Sequence, residues 1–420
     1  MVRRRIPLIF AALLAAMLPA RHNVLAAKTI TLDDAITRAL QIAPALELAA
    51  AESDLGSARV EEARAPLFPW IAGNGEYNQP SGYDKAISNG GLTQAQLALT
   101  YTAFDGGKRS AQLRAARYAA QAAALGVRAA QVQVVFDTTV AYFELLRENE
   151  IQSDLATSLN RLIRYVKIVD VLQRSGRAIP NDVLRLRVAR DATDLSLAAA
   201  RQVQAQASVQ LGSMIGDYGD TGLIAAEVSA LPPPPTGDFT HNPVYQAASR
   251  QFQATKLAVD AARAEGVPNL DLTLTTGWQG INPPKTFGHH FGASYDGAVT
   301  IPIFQGGLVH SHIDQALAAE RTAQAQQKQI ELQVKRDLAA ANLRYQGALE
   351  ELAILRRSQQ SATDAFALDW TRFLGGGSVT ILEVTDAYQQ AESLRLARYD
   401  QQFNAHQATA QVRMTIGLLQ

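Results

Sequence analysis

One long stretch of this sequence is written twice. Ala103-Phe104-Asp105-Gly106-Gly107 closes an alternating apolar segment and opens a long helical run, and Ile303-Phe304-Gln305-Gly306-Gly307 does the same two hundred residues later. Pro44 matches Pro243 and Pro69 matches Pro268 at a spacing of 199. Gly176 matches Gly377, and Ser213-Met214-Ile215-Gly216 matches Met414-Thr415-Ile416-Gly417, at a spacing of 201. An ordered series at nearly constant offset marks a tandem duplication. The expected units are 27–216 and 243–420, joined by a connector over 217–242. Each unit reads helix, strand, strand, very long helix, helix.

The helical runs are unusual in length. Thr31 to about Pro66 reads as one Ala-rich helix, with Thr31 as N-cap ahead of Asp33 and Asp34. Pro66 and Pro69 stop it. Lys108 to Ser175 has no proline and one glycine, Gly126, and Leu308 to Leu374 repeats this with Gly347 alone. Continuous helices of that size extend about 100 Å. They must lie along one another as coiled coils or span a gap. Their Ala-rich seams permit close approach, and a dimeric coiled-coil rod fits that pattern equally well.

The strands are what separate the possibilities. Leu270, Leu272, Leu274 and Trp278 alternate with Asp271, Thr273 and Thr275. Phe291, Ala293, Tyr295, Val299, Ile301 and Ile303 share one face, opposite Ser294, Asp296 and Thr300. In the first unit Leu97, Leu99 and Tyr101 oppose Gln94, Gln96 and Thr100, and Ile71 and Tyr77 oppose Asn74, Glu76 and Asn78. Segments of about ten residues, apolar on one side and polar on the other, are the pattern of a transmembrane barrel with a wet lumen. Tyr101, Trp278, Phe291 and Tyr295 suit an interfacial aromatic girdle. Four strands cannot close a barrel, and open edges are not tolerated in lipid. Copies must therefore pool strands. Two copies give about eight strands and a filled interior, and three give about twelve and a water-filled one; the polar inner face favours three.

The N-terminus reads as an export signal over 1–26: Arg3, Arg4 and Arg5, the apolar stretch Ile6 to Ala20, then Val24-Leu25-Ala26 at the cut. No cysteine is present, which rules out disulfides and a lipidated N-terminal Cys. With 39 basic and 39 acidic residues, nucleic acid is not an expected partner. The connector carries Pro232-Pro233-Pro234-Pro235 and reads as extended and semi-rigid. Gln79 to Leu92 and Gly280 to His290 read as outward-facing loops. His289-His290 lacks the neighbouring ligands a metal site needs. No cofactor is expected.

The Phe-Asp-Gly-Gly and Phe-Gln-Gly-Gly turns, the Gly-centred turns at Arg174-Ser175-Gly176 and Leu374-Gly375-Gly376-Gly377, the segment Ile381-Leu382-Glu383-Val384-Thr385-Asp386-Ala387 and the Ile-Gly endings occur in one duplicated order. In that combination the chain resembles the outer-membrane efflux proteins of the TolC family along essentially the whole mature sequence. The resemblance implies a mostly α fold with four strands per chain. It implies a homotrimer forming a 12-stranded barrel in outer-membrane lipid and a 12-helix periplasmic tube. Its partners would be a periplasmic adaptor (membrane fusion protein) and an inner-membrane pump, and its role a passive exit duct for efflux or type I secretion.

The resemblance also implies that Glu383 and Asp386, which share a helix face at i and i+3, ring the narrow periplasmic entrance. Six carboxylates would then raise one another's pKa and select cations; the bland reading is an acidic helix N-terminus. Asp182 aligns with Glu383, but Arg185 stands in the place of Asp386. Arg185 is expected to pair with an acid of the neighbouring hairpin and hold the entrance shut. Leu374 and Val379 occupy positions where some family members carry a polar aromatic and an arginine that latch the closed state. Gly176, Gly375, Gly376 and Gly377 sit at the hairpin tips, as adaptor contacts or as tight turns.

Two other classes fit the sequence less well. An adaptor would need one hairpin interrupting a β domain, not a duplication, and a coiled-coil rod would leave four alternating strands without purpose. No HExxH, GxSxG or P-loop is present, so neither catalysis nor an energy source is expected here.

Overall fold

The computed structural model describes residues 28–419 apart from 89, 220, 229–232 and 282–290. The export signal, Pro232 and His289-His290 lie outside the described residues. The chain opens with strand β1 (Lys28–Ile30) and helices α1 (Leu32–Ile42) and α2 (Pro44–Arg64). Thr31 caps α1 as expected, its hydroxyl accepting from the Asp34 N–H at 3.2 Å. The single helix expected from Thr31 to Pro66 is broken, however. Ala43 is extended at ψ 117°, because the proline ring at Pro44 excludes the helical conformation from the residue before it. The helix Pro243–Ala264 starts in the same way, at Asn242-Pro243.

Strand β2 (Trp70–Asn78), a one-turn helix α3 (Lys85–Ser88) and strand β3 (Leu92–Phe104) lead into α4 (Lys108–Arg174) and α5 (Pro180–Ile215). Then come β4 (Leu223–Ala225), α6 (Pro243–Ala264), β5 (Asn269–Ile281), β6 (Phe291–Thr300), α7 (Leu308–Leu374) and α8 (Ile381–Thr415). The fold is mostly helical. α4 and α7 are each 67 residues long, or about 100 Å at 1.5 Å per residue. Both start on a left-handed glycine, Gly107 at φ 88° and Gly307 at φ 86°, where a side chain would be strained. No described helix is long and apolar enough to cross a membrane.

The connector is not wholly irregular. Its residues Leu223–Ala225 form β4, which pairs in parallel with β1. This small sheet caps a core at mid-height on α4, where Ile30, Ala35, Tyr142, Leu145, Leu211 and Leu223 are buried together. The Tyr142 hydroxyl donates to the Ala226 carbonyl at 2.7 Å, and burial pushes that phenol up to about 12. Asn242 ties the second half to the end of the chain: its amide donates to the Thr415 carbonyl at 2.9 Å while its oxygen caps α6.

The four longer strands form one antiparallel sheet in the order β2-β3-β5-β6. Paired residues in such a sheet point to the same side, so the register fixes the faces. Ile71, Leu99, Leu274 and Tyr295 lie in one row, and Tyr101 sits beside Leu272. Trp278 pairs with Phe291, their rings edge-to-face at 5.2 Å. The opposite face carries Asn74, Gln96, Thr100, Thr273 and Asp296. Here Gln94 donates to Glu76 at 2.8 Å and Thr102 to Asp271 at 2.6 Å. Each face is thus continuous across four strands. β2 and β6 are the edges, and neither has an outer neighbour among the described residues. The expected second strand is shorter than its apolar pattern: Ile301 and Ile303 lie beyond the end of β6, because β5 ends its pairing at Asn269 with Thr300.

Candidate functional site

At the end of the long helices farthest from the strands, α4 turns into α5 and α7 into α8. Both turns use the same backbone device. The Arg177 N–H reaches the Leu172 carbonyl at 2.9 Å, and the Gly377 N–H reaches the Arg372 carbonyl at 2.9 Å. These bonds satisfy carbonyls that a helix end leaves open. The residue that turns left-handed is Gly176 in the first and Gly376 in the second, at φ 73° and 75°. The expected match of Gly176 with Gly377 is therefore one residue off. The second turn holds one extra residue, so the spacing between the units is 200 along the two long helices and 201 beyond the turn.

After each turn an acid occupies the third helical position. Asp182 accepts from the Ile179 N–H at 3.0 Å, and Glu383 accepts from the Thr380 N–H at 2.7 Å. Thr380 completes a reciprocal cap, its hydroxyl donating to Glu383 at 3.0 Å and accepting from the Glu383 N–H. Ile179 has no polar side chain to do so. The Thr380 N–H and hydroxyl hold the Glu383 carboxyl below the usual glutamate value. Within one chain the acid is thus capped and its pKa lowered, not raised. Asp386 and Arg185 are both exposed, and neither forms an ion pair among the described residues. Leu374 ends α7 and Val379 packs on the tip core.

Two contacts between the hairpins leave little trace in the sequence. Arg177 donates to the Leu374 carbonyl at 2.9 Å, joining the two tips. Its signal was the one charged residue in the first turn where the second has glycine. Behind it a core of Leu162, Val169, Leu186, Phe366, Val384 and Tyr388 draws on all four helices, with Tyr165 and Trp370 in ring contact at 4.2 Å.

Farther along, an ionic layer joins α4 to α8. Arg395 is 9% exposed and donates to Asp154 at 3.2 Å and Glu392 at 2.9 Å. Ser158 also donates to Glu392 at 2.9 Å. The second Glu392 oxygen is buried and has no hydrogen-bond partner among the described residues. Burial raises the Glu392 pKa above the usual value, against the pull of Arg395.

At the strand-to-helix turns, Phe104-Asp105-Gly106-Gly107 and Phe304-Gln305-Gly306-Gly307 differ. Asp105 accepts from the Gly107 and Arg109 N–H groups at 3.0 and 2.9 Å and from the Arg109 side chain at 2.7 Å. Arg109 also donates to the carbonyls of Pro66 and Thr102, both at 2.6 Å. Gln305 and Val309 stand at the equivalent positions and build no such clasp.

Known proteins match this architecture. The profile of the outer membrane efflux protein family matches residues 35–217 and again 240–418. The outer membrane protein TolC of Escherichia coli (strain K12) is 25% identical over 392 residues, covering 86% of this chain and 78% of TolC. Among solved structures, the outer membrane protein VceC of Vibrio cholerae superposes with a TM-score of 0.80 at 20% identity, covering 92% of this chain and 96% of VceC. The outer-membrane channel OprN gives 0.82 at 19% identity, covering 92% and 89%. A profile that spans both halves of a duplicated chain, carried on the same fold, leaves one conclusion: the chain belongs to the outer membrane efflux protein family, a family of channels that includes TolC.

Proposed function

We propose that this protein is the passive exit duct of a tripartite efflux or type I secretion system. Three copies close a 12-stranded β-barrel in outer-membrane lipid, and their long helices α4, α5, α7 and α8 form a 12-helix periplasmic tube. The units 27–216 and 243–420 act as structural repeats, with 217–242 between them and 1–26 as an export signal. The observation that carries this reading is the sheet, apolar on one face, polar on the other, and open at both edges. Lipid takes the apolar face, water the polar one, and only further strands can satisfy the edges.

The tips form the periplasmic entrance. Glu383 and Asp386 line it as a carboxylate ring that favours cations, and Asp182 and Arg185 take the equivalent places on the first hairpin. Arg177 and Arg185 hold the hairpins together in the resting state, in place of a latch at Leu374 and Val379. The turns at Gly176 and Gly375 to Gly377 meet a periplasmic adaptor, which couples the duct to an inner-membrane pump. Transport energy comes from that pump.

The test is single-channel recording of purified protein in a planar bilayer. Wild type should give discrete steps that prefer cations. Glu383→Ala/Asp386→Ala should enlarge them or weaken that preference, and Arg185→Ala should raise the resting leak. Unchanged steps in the double variant would remove these acids from the entrance, and absence of any conductance from folded protein would end the duct reading.

A further inference from the structure

The internal repeat fixes more than an architecture; it carries a strand register. Within the chain, hairpin β2–β3 pairs Trp70 with Thr100, and hairpin β5–β6 pairs Asn269 with Thr300. Thr300 lies 200 residues after Thr100, and Asn269 lies 199 after Trp70. The two hairpins therefore have the same register. The junction between them, β3 with β5, is given as well: Leu97 opposes Thr276, Leu99 opposes Leu274, and Thr100 opposes Thr273. β6 is the counterpart of β3 and β2 the counterpart of β5.

We propose that β6 of one copy pairs with β2 of the next in the register that β3 keeps with β5, so that Thr300 opposes Asn74 of the second copy. This rests on the shared-barrel reading above and specifies its joint. Leu99 with Leu274 becomes Val299 with Gly75, and Leu97 with Thr276 becomes Gly297 with Tyr77. Tyr101 with Leu272 becomes Ile301 with Gly73.

Two independent features agree. The first is the faces. Val299 and Gly75 belong to the apolar side of their strands, Thr300 and Asn74 to the polar side. The transferred register therefore continues both faces without interruption, whereas a one-residue slip would exchange them.

The second is the tail of β6. β3 runs on to Phe104, beyond its last partner in β2, because β5 receives it: Tyr101 opposes Leu272, and after a register shift Phe104 opposes Leu270. The equivalent stretch of β6 has no receiving strand, and the strand stops at Thr300. Ile301, Ile303 and Phe304 are left 60%, 92% and 87% exposed. In the joint they become strand, with Phe304 opposite Ile71, itself 68% exposed. Pro302 is compatible with this. Its counterpart Thr102 stands at the register shift, and irregularities are where strands accept proline.

The chain has no cysteine, so engineered pairs report cleanly. In one copy, positions 74 and 300 lie on opposite edges of the sheet. Asn74 is in line with Gly292 through Gln96 and Gly277, so the two positions are about 14 Å apart across the strands and about 26 Å along them, far beyond disulfide reach. A bond can form only between copies. The full chain is expressed in outer membranes with Asn74→Cys/Thr300→Cys, beside the two-residue slips Ala72→Cys/Thr300→Cys and Glu76→Cys/Thr300→Cys. The membranes are oxidised and run on non-reducing gels.

The expected result is a covalent trimer for Asn74→Cys/Thr300→Cys, dissociated by reductant, and at least tenfold less from either slip. A covalent trimer from a slipped pair instead would overturn the register while leaving the shared barrel standing. An intact native trimer that no pair cross-links would show that these edges do not meet. Protein that is monomeric by native mass would remove the shared barrel itself, together with this joint.

Discussion

Arg395 donates to Asp154 and Glu392 from a helix that also carries exposed charges, and nothing in the pattern of α8 sets it apart. Its partner acids come from two helices, and Asp154 lies 241 residues away. Glu392 gives the layer a pH dependence. Its folded pKa is raised by burial, so its contribution to stability is full below the ordinary value of 4.5 and is lost as pH rises through the raised value. Glu392→Gln, neutral at every pH, should lose less stability than wild type as pH rises from 4.5 through the raised Glu392 value. Thermal unfolding followed by circular dichroism across that range checks it, and parallel pH profiles would reject it. What the sequence does show at this scale is local chemistry. Thr31 and Asp105 declare themselves because their partners lie within four residues. Arg109 does not, because its third acceptor, Pro66, is 43 residues away.

Elements were more legible than contacts. Both 67-residue helices were bounded to within a residue by where proline and paired glycines stop, since a long proline-free run leaves few alternatives. The break at Pro44 is hidden in the sequence because the Ala-rich pattern continues across it. The three-residue strands β1 and β4 gave no signal, since three residues cannot establish an alternation. The second tip shows a subtler limit: three consecutive glycines do not reveal which one turns left-handed. The geometry makes a sharp distinction here. Gly376→Ala, at φ 75°, should destabilise the hairpin by about 1 kcal/mol. Gly375→Ala, at φ −73° with its nearest atoms at 3.5 Å, should be nearly neutral. Urea unfolding of the two variants decides it; equal losses would mean the turn is built otherwise.

At the scale of the whole molecule, alternation in single strands told which residues share a face, but not the strand order or that the faces join. The sheet supplies both, and it sets two neighbouring residues in opposite surroundings. Leu274→Arg places a charge on the apolar face, at a cost of about 2–4 kcal/mol if the site lies near mid-membrane. It should abolish assembly in the outer membrane. Thr273→Arg on the polar face should leave assembly intact and lower single-channel conductance. Membrane fractionation with conductance recording tests the pair, and similar effects at both positions would contradict the two-faced barrel.

The equal length of α4 and α7 has a consequence of its own. Each residue adds 1.5 Å of rise and 100° of turn, so inserting one residue would swing everything downstream, including the buried Tyr142 or Tyr345, a quarter-turn out of place. Inserting it in only one helix would also leave the two tips at different heights. The pair therefore behaves as a matched ruler. Its span can grow or shrink only in steps that restore the helical phase, and only in both arms together.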